Sequence, residues 1–330
     1  MRIVKPRYFD TFRCIASACP DSCCKEWDVQ IDPEKAAFYR SLPGDLGNRL
    51  RQVLKDEDGE TVMTIIDGRC PMWRTDGLCR IQAELGEEAL CNTCRDFPRL
   101  THDYGNFVEI GLELSCPEAA RLILSEPADQ VSLYVPGGDA PEYDTEAMKV
   151  LLRTRKQARS ILADDALPIH HRLALLLMYG YHAQAELDGE EESLFDTTSA
   201  LESAQSFAVT ATPQEMFEFF HKLEILSEEW THRLACPRPA KWEPRHIRLA
   251  HYFIDRYWLQ AISDYDLISR VKLAVISCLA IRNLGGDLTA TAQLYSKEIE
   301  NSIDNVESLL DGAYTAPAFT DNRLLGMLLL

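Results

Sequence analysis

Hydrophobic and polar positions along the 330 residues change their rhythm near residue 144. Beyond that point the apolar residues recur at helical spacing. Met216, Phe219, Phe220, Leu223 and Leu226 fall on one face behind Thr212-Pro213-Gln214-Glu215, a capping-box sequence with proline at the first helical position. Leu267, Ile268, Val271, Ala274, Val275 and Cys278 make a second face, with Asp264 as the expected cap and Gly285-Gly286 as the stop. Further helices are predicted over residues 145–163, 168–188, 244–262 and 288–311, about six helices in all. The acidic, polar stretch 189–203 reads as a long loop. Before residue 127 the elements are short and punctuated. Val131–Val135 alternates and predicts one strand between Pro127 and Pro141.

Hydrophobic residues at 46% and charged residues at 26% match a chain able to bury a core, and the length suggests about two domains. The net charge of −18 repels phosphate backbones and anionic headgroups. It argues against nucleic-acid and membrane-surface partners and favours cationic ones, including lysine-rich segments. No apolar run reaches the ~18 residues that a bilayer span needs, and the opening residues do not read as an export signal. A cytoplasmic, reducing location is therefore expected.

Cysteine density changes the picture most. Nine of the eleven cysteines lie between Cys14 and Cys116. In a reducing compartment such clustering favours metal or redox chemistry over permanent disulfides. Cys236 and Cys278 lie apart and read as small packed hydrophobes. The cluster runs Cys14-x4-Cys19-x3-Cys23-Cys24, then Cys70-Pro71 with Gly77-Leu78-Cys79, then Cys91-x2-Cys94, then Ser115-Cys116-Pro117. Thiolates are soft ligands for zinc, copper(I) or iron–sulfur clusters. Only Cys91/Cys94 has zinc-knuckle spacing, and of eight histidines only His102 lies in this half, which tilts the reading toward iron–sulfur. The fold expectation is mostly α: a small cysteine-rich metal-binding domain over 1–126, a linker over 127–143 and a helical bundle over 144–330.

Several motifs are missing. No Gly-x-Gly-x-x-Gly follows a strand, so the ordinary dinucleotide-type fold is not expected. Cys19-x3-Cys23 would need a third cysteine at position 26, which is Glu26, so the usual radical S-adenosylmethionine signature is absent as well. No zinc-protease, phosphate-loop or serine-hydrolase motif occurs.

The residues Phe12-x-Cys14, Cys23-Cys24-x2-Trp27, Cys70-Pro71, Gly77-Leu78-Cys79, Thr93-Cys94-Arg95-x-Phe97-Pro98-Arg99 and Leu114-Ser115-Cys116-Pro117-Glu118 resemble the flagellin lysine N-methylases. The likeness covers residues 1 to about 124, with wider first spacings here, and extends over the helical half only in length and composition. It implies methyl transfer from S-adenosylmethionine to flagellin lysines and an iron–sulfur cluster of the four-iron type. On this pattern the ligand pool is Cys14, Cys19, Cys23, Cys24, Cys70, Cys79, Cys94 and Cys116, with Cys19, Cys23, Cys79 and Cys94 at its centre. Cys91 falls outside the pattern.

Methyl transfer to an amine needs a neutral nitrogen, in-line geometry and a proton acceptor. Tyr8, Trp27 and Glu118 are the catalytic candidates, Trp27 as a face for a cation. Arg95 and Arg99 are the candidates for the cofactor carboxylate. Each of these side chains equally suits a packed aromatic, a surface ion pair or a helix cap. A metal-binding or electron-transfer protein without catalysis would use the same thiols.

Overall fold

A computed structural model describes residues 1–24, 29–57, 59–190 and 194–330. Its strands are β1 (Arg2–Pro6), β2 (Val29–Ile31), β3 (Leu54–Glu57), β4 (Glu60–Met63), β5 (Arg99–Asp103), β6 (Phe107–Leu112) and β7 (Gln130–Tyr134). The first helices are α1 (Pro33–Ser41), α2 (Gly44–Val53), α3 (Arg80–Leu85), α4 (Asn92–Asp96) and α5 (Pro117–Ser125). Then follow α6 (Thr145–Ala163), α7 (Ile169–Leu187), α8 (Thr197–Phe207), α9 (Pro213–Phe220) and α10 (Glu228–Ala235). The last are α11 (Arg245–Tyr257), α12 (Ile268–Leu284), α13 (Leu288–Tyr295), α14 (Ile303–Thr315) and α15 (Asp321–Leu329). The described chain is mostly helical, as the periodicity predicts.

Two sheets organise the first part. One has the order β5-β6-β1-β7, with β1 parallel to β6 (Ile3 opposite Val108) and antiparallel to β7 (Ile3 opposite Leu133). The other is an antiparallel β2-β4-β3 meander. Packing gathers the buried side chains into two cores. The smaller runs from Val29 to Cys91 around Tyr39, Leu50 and Met72. The larger takes Phe12, Phe107 and most of the buried apolar side chains from there to Leu328. The segment carrying the smaller core is thus an excursion between β1 and β5. Its two ends meet, with the Arg99 guanidinium 5.3 Å from the centre of the Phe12 ring.

α12 is the axis of the larger core. Almost all of its residues are buried, and it stops at Gly285, whose φ of 66° needs a residue without Cβ. α6 and α7 match their predicted spans to within a residue or two. Elsewhere tertiary contacts override local signals. Among the described residues ten helices follow residue 144, more than predicted. The predicted helix 288–311 is interrupted by a π turn at Ser296–Glu300 and restarts where the Ser302 hydroxyl accepts from the Asn305 N–H. The helix predicted over 244–262 ends at Tyr257 and continues as a 3-10 turn. The expected loop 189–203 gives way to α8 because the Asp196 carboxylate caps the N–H groups of Thr198 and Ser199. Thr212 stands at the start of α9, but its hydroxyl makes no cap, and Glu215 pairs with Arg323 instead of reaching back. Asp266, not Asp264, accepts from the Ser269 N–H, while Asp264 pairs with Arg270. Cys278 is buried as expected, whereas Cys236 is exposed at the end of α10. Among the described residues no helix is long and apolar enough to cross a membrane.

His251, on α11, shows how burial ties the fold to pH. It is 8% exposed, and its pKa is lowered to about 3 by burial and then by the nearby Arg159. Between that value and the unfolded pKa of about 6.5 the unfolded chain binds a proton that the folded chain refuses. Stability is therefore fully present above about pH 6.5 and is lost as the pH falls. The loss from this one group between pH 7 and pH 5 is about 2 kcal/mol. Urea unfolding at the two pH values should show a shallower dependence in His251→Gln than in the parent; identical slopes would remove His251 as a contributor.

Candidate metal centre

The thiols are set on turns and helix starts. Cys14 and Cys19 flank a 3-10 turn at Ala16–Ala18, where the Cys14 sulfur accepts the Ala16 N–H. The Cys70 N–H donates to the Cys24 carbonyl at 2.6 Å, joining the first and second motifs through the main chain. Gly77, at φ 80°, lets the chain turn back so that Cys79 bridges to Trp73. α4 is fastened to β2 by the Thr93 hydroxyl on the Gln30 carbonyl and by the Asn92 N–H on the Asp32 carboxylate. Cys79, Cys91 and Cys116 each stand just before a helix, at α3, α4 and α5. There, main-chain N–H groups point at sulfur: those of Ile81 and Gln82 at Cys79, and those of Glu118 and Ala119 at Cys116.

Six sulfurs share one neighbourhood. The Cys23 and Cys24 sulfurs are 4.0 Å apart. The Cys23 thiol is pushed up by donating to Cys24 and then by burial. At Cys24, acceptance from Cys23 pulls the pKa down, but donation to Cys70 and burial outweigh it, leaving the thiol pushed up to about 12. Cys70 is the acceptor and is lowered. In the same way Cys94 donates to Cys91, so Cys94 is raised and Cys91 lowered. Burial raises Cys79, which also senses Cys23 and Cys91, while Cys94 senses Cys24 and Cys70. Cys14, Cys19 and Cys116 form a second neighbourhood. Burial raises Cys19 and pushes Cys116 up to about 11, and Cys23 links the two groups electrostatically through Cys19. Among the described residues no three Cys, His, Asp or Glu side chains converge closely enough to hold one metal ion.

Cys91 is the residue that the sequence reading left out. It is 1% exposed and bonded to Cys94, and its Cys-x2-Cys spacing was the available signal.

The other candidates lie apart. Burial, with Asp255 adding, raises the Tyr8 phenol well above its usual range. Tyr8 lines a cavity of about 60 Å³ under the first sheet with His102, Asp255 and Arg256. Glu118, in the first turn of α5, is held by both of its oxygens on Arg121. It lines a different space, an open groove of about 1030 Å³ that also carries Asp21, Asp67, Glu228, Glu229 and Asp287. That groove lies between the first cysteine loop and α10 and α13. Asp21 bonds Gln293 and Lys297 across it. Trp27 lies outside the described residues. Arg95 pairs with Asp96 and Asn92, and Arg99 covers Phe12 while donating to the Arg95 carbonyl. Neither arginine lines one of these cavities.

Thiol pairs on tight turns, beside an acidic groove and a helical body, define a cysteine-cluster protein of mostly α architecture. Over 132 residues, 38% of its length, the chain is 36% identical to the flagellar biosynthetic protein FliU of Salmonella muenchen, covering 78% of that protein. It is equally similar, over the same extent, to the lysine-N-methylases of Salmonella typhimurium and Salmonella choleraesuis, covering 33% of each. The chain belongs to this lysine-N-methylase and FliU family, as its cysteine pattern leads one to expect. The match spans only about a third of the length of the curated lysine-N-methylases. No family model and no solved structure matches.

Proposed function

We propose that this protein is a cytoplasmic methyltransferase that moves methyl groups from S-adenosylmethionine to lysine side chains of flagellin. The observation that carries the reading is the 36% identity over 132 residues to proteins named lysine-N-methylase. The residues also suit an iron–sulfur cluster in donor chemistry: soft, histidine-poor and partly buried, with thiols already sharing protons. The holders would be drawn from Cys23, Cys24, Cys70, Cys79, Cys91 and Cys94, with Cys14, Cys19 and Cys116 as the adjoining set. When bound, the cluster would supply either a structural and redox centre or, with one iron left open, a place for the amino and carboxylate groups of S-adenosylmethionine.

The chain's own residues supply the rest. A lysine ammonium, with a pKa of about 10.4, is drawn to the carboxylates of the groove and must lose a proton before it reacts. Glu118, released from Arg121, is the groove carboxylate next to the Cys116 segment and can accept that proton. Burial keeps the proton on the Tyr8 phenol, so Tyr8 can donate a hydrogen bond but does not serve as the base.

Mass spectrometry of flagellin co-expressed with the protein tests the reading. Lysine peptides should gain about 14 Da per methyl while retaining their charge. Anaerobically purified protein should be brown. Metal without methylation would instead support a metal-carrying protein, and colourless zinc protein would remove the cluster. A salt series adds a further check. The Debye length shrinks from about 30 Å at 0.01 M to about 8 Å at 0.15 M, so kcat/KM should fall across that range and kcat should change little. A flat kcat/KM would mean that the acidity does not steer the substrate.

A further inference from the structure

Within an overall charge of −18 one groove is locally basic. A groove of about 810 Å³ opens between α6, the start of α7 and α11. Arg153, Lys156, Arg159, Arg172 and Arg248 line it, against only Asp129 and Asp165. Arg153 and Arg159 already pair with Glu186 and Asp255. Arg172 donates to the Leu162 and Leu167 carbonyls and Arg248 to the Leu124 carbonyl, so neither has a carboxylate partner among the described residues. Lys156 is exposed and makes no ion pair among them. His251, at the wall, is 8% exposed, and its Nδ1 has no hydrogen-bond partner. Ile169, Ile247 and the arginine stems give the same groove an apolar floor.

Lys156, Arg172 and Arg248 thus outnumber Asp129 and Asp165, and a concave, partly apolar wall strengthens the positive potential that this small excess creates. The volume lies within the ~300–1,000 Å³ typical of small-molecule sites. The geometry points to a binding site for a nucleoside phosphate, with its phosphates on Lys156, Arg172 and Arg248 and its flat base on the apolar floor. S-adenosylmethionine does not suit this site. Its sulfonium and ammonium outweigh its one carboxylate, so a basic groove repels it. The site is therefore separate from the proposed methyl-transfer chemistry and does not depend on it.

Isothermal titration of the whole protein with ADP, pyrophosphate and adenosine tests the assignment. ADP should bind one per chain, pyrophosphate more weakly and adenosine barely at all. Lys156→Glu should weaken ADP about tenfold, the loss of one charge-assisted contact. Lys149→Glu, on the same helix but paired with Glu146 outside the groove, carries the same change in net charge and should leave ADP binding intact. Absence of heat with both ADP and pyrophosphate would overturn the site. So would equal binding of adenosine and ADP, or equal losses in the two lysine variants.

Discussion

Glu300→Ala should cost the protein about 3 kcal/mol, measured by urea unfolding at neutral pH, because it strands a buried guanidinium. The Glu300 side chain is 1% exposed and lies 3.2 Å from Arg256, itself only 12% exposed. Its oxygens also accept from the Tyr252 and Tyr257 hydroxyls at 2.9–3.1 Å. Burial first, and then Glu300 itself, keep both phenols well above their usual pKa, so they remain donors. The alanine variant would remove the counter-ion and leave these donors unmet. Among the described residues Glu113, 3.7 Å from Arg256, is the nearby substitute, but burial raises its pKa and weakens it as an anion. A loss below about 1 kcal/mol would show that Glu113 takes over as the counter-ion.

On the proposed reading, replacing Cys91 and Cys94 together by serine should lower iron and sulfide in anaerobically prepared protein about tenfold or more, and methylation of flagellin should fall with them. Cys236→Ser and Cys278→Ser should keep the parent's colour, since one side chain is exposed on α10 and the other is packed in the larger core. The single Cys91→Ser is the sharper version, because the sequence pattern excludes a residue that the fold seats against Cys94. Full iron in Cys91→Ser, with loss in Cys94→Ser, would return Cys91 to a packing role.

The long helices were legible because their signal is local. α6 and α7 carry unbroken periodicity, and the glycine pair ends α12 where it stands in the sequence. The break in 288–311 was not legible. It depends on buried polar side chains: Glu298 holds the Leu226 N–H and the Ser227 hydroxyl, and Asn305 donates to the Glu298 carbonyl. The capping box at Thr212 failed for a related reason, since Arg323, more than a hundred residues on, claims Glu215. At the candidate site cysteine density was plain, but grouping was not. Which sulfurs become neighbours follows from long-range fastenings such as Cys70 on Cys24 and α4 on β2. The basic groove was invisible for the opposite reason: its five cations are spread over some hundred residues of an acidic chain and meet only when α6, α7 and α11 pack.

The meeting of Phe12 and Arg99 has a consequence for engineering. Everything between them leaves and re-enters the larger body through one neck, and β1 takes its partners solely from β6 and β7. A splice that replaces residues 14–98 would delete eight of the nine clustered thiols and leave the paired residues of that sheet in the chain. The excision gives up the bond from the Glu113 N–H to the Pro98 carbonyl as well as the anchoring of Asp21 on Gln293 and Lys297. None of the residues that line the basic groove lies in that segment, so nucleotide titration of the trimmed chain would show whether the groove works without the cysteine-bearing excursion.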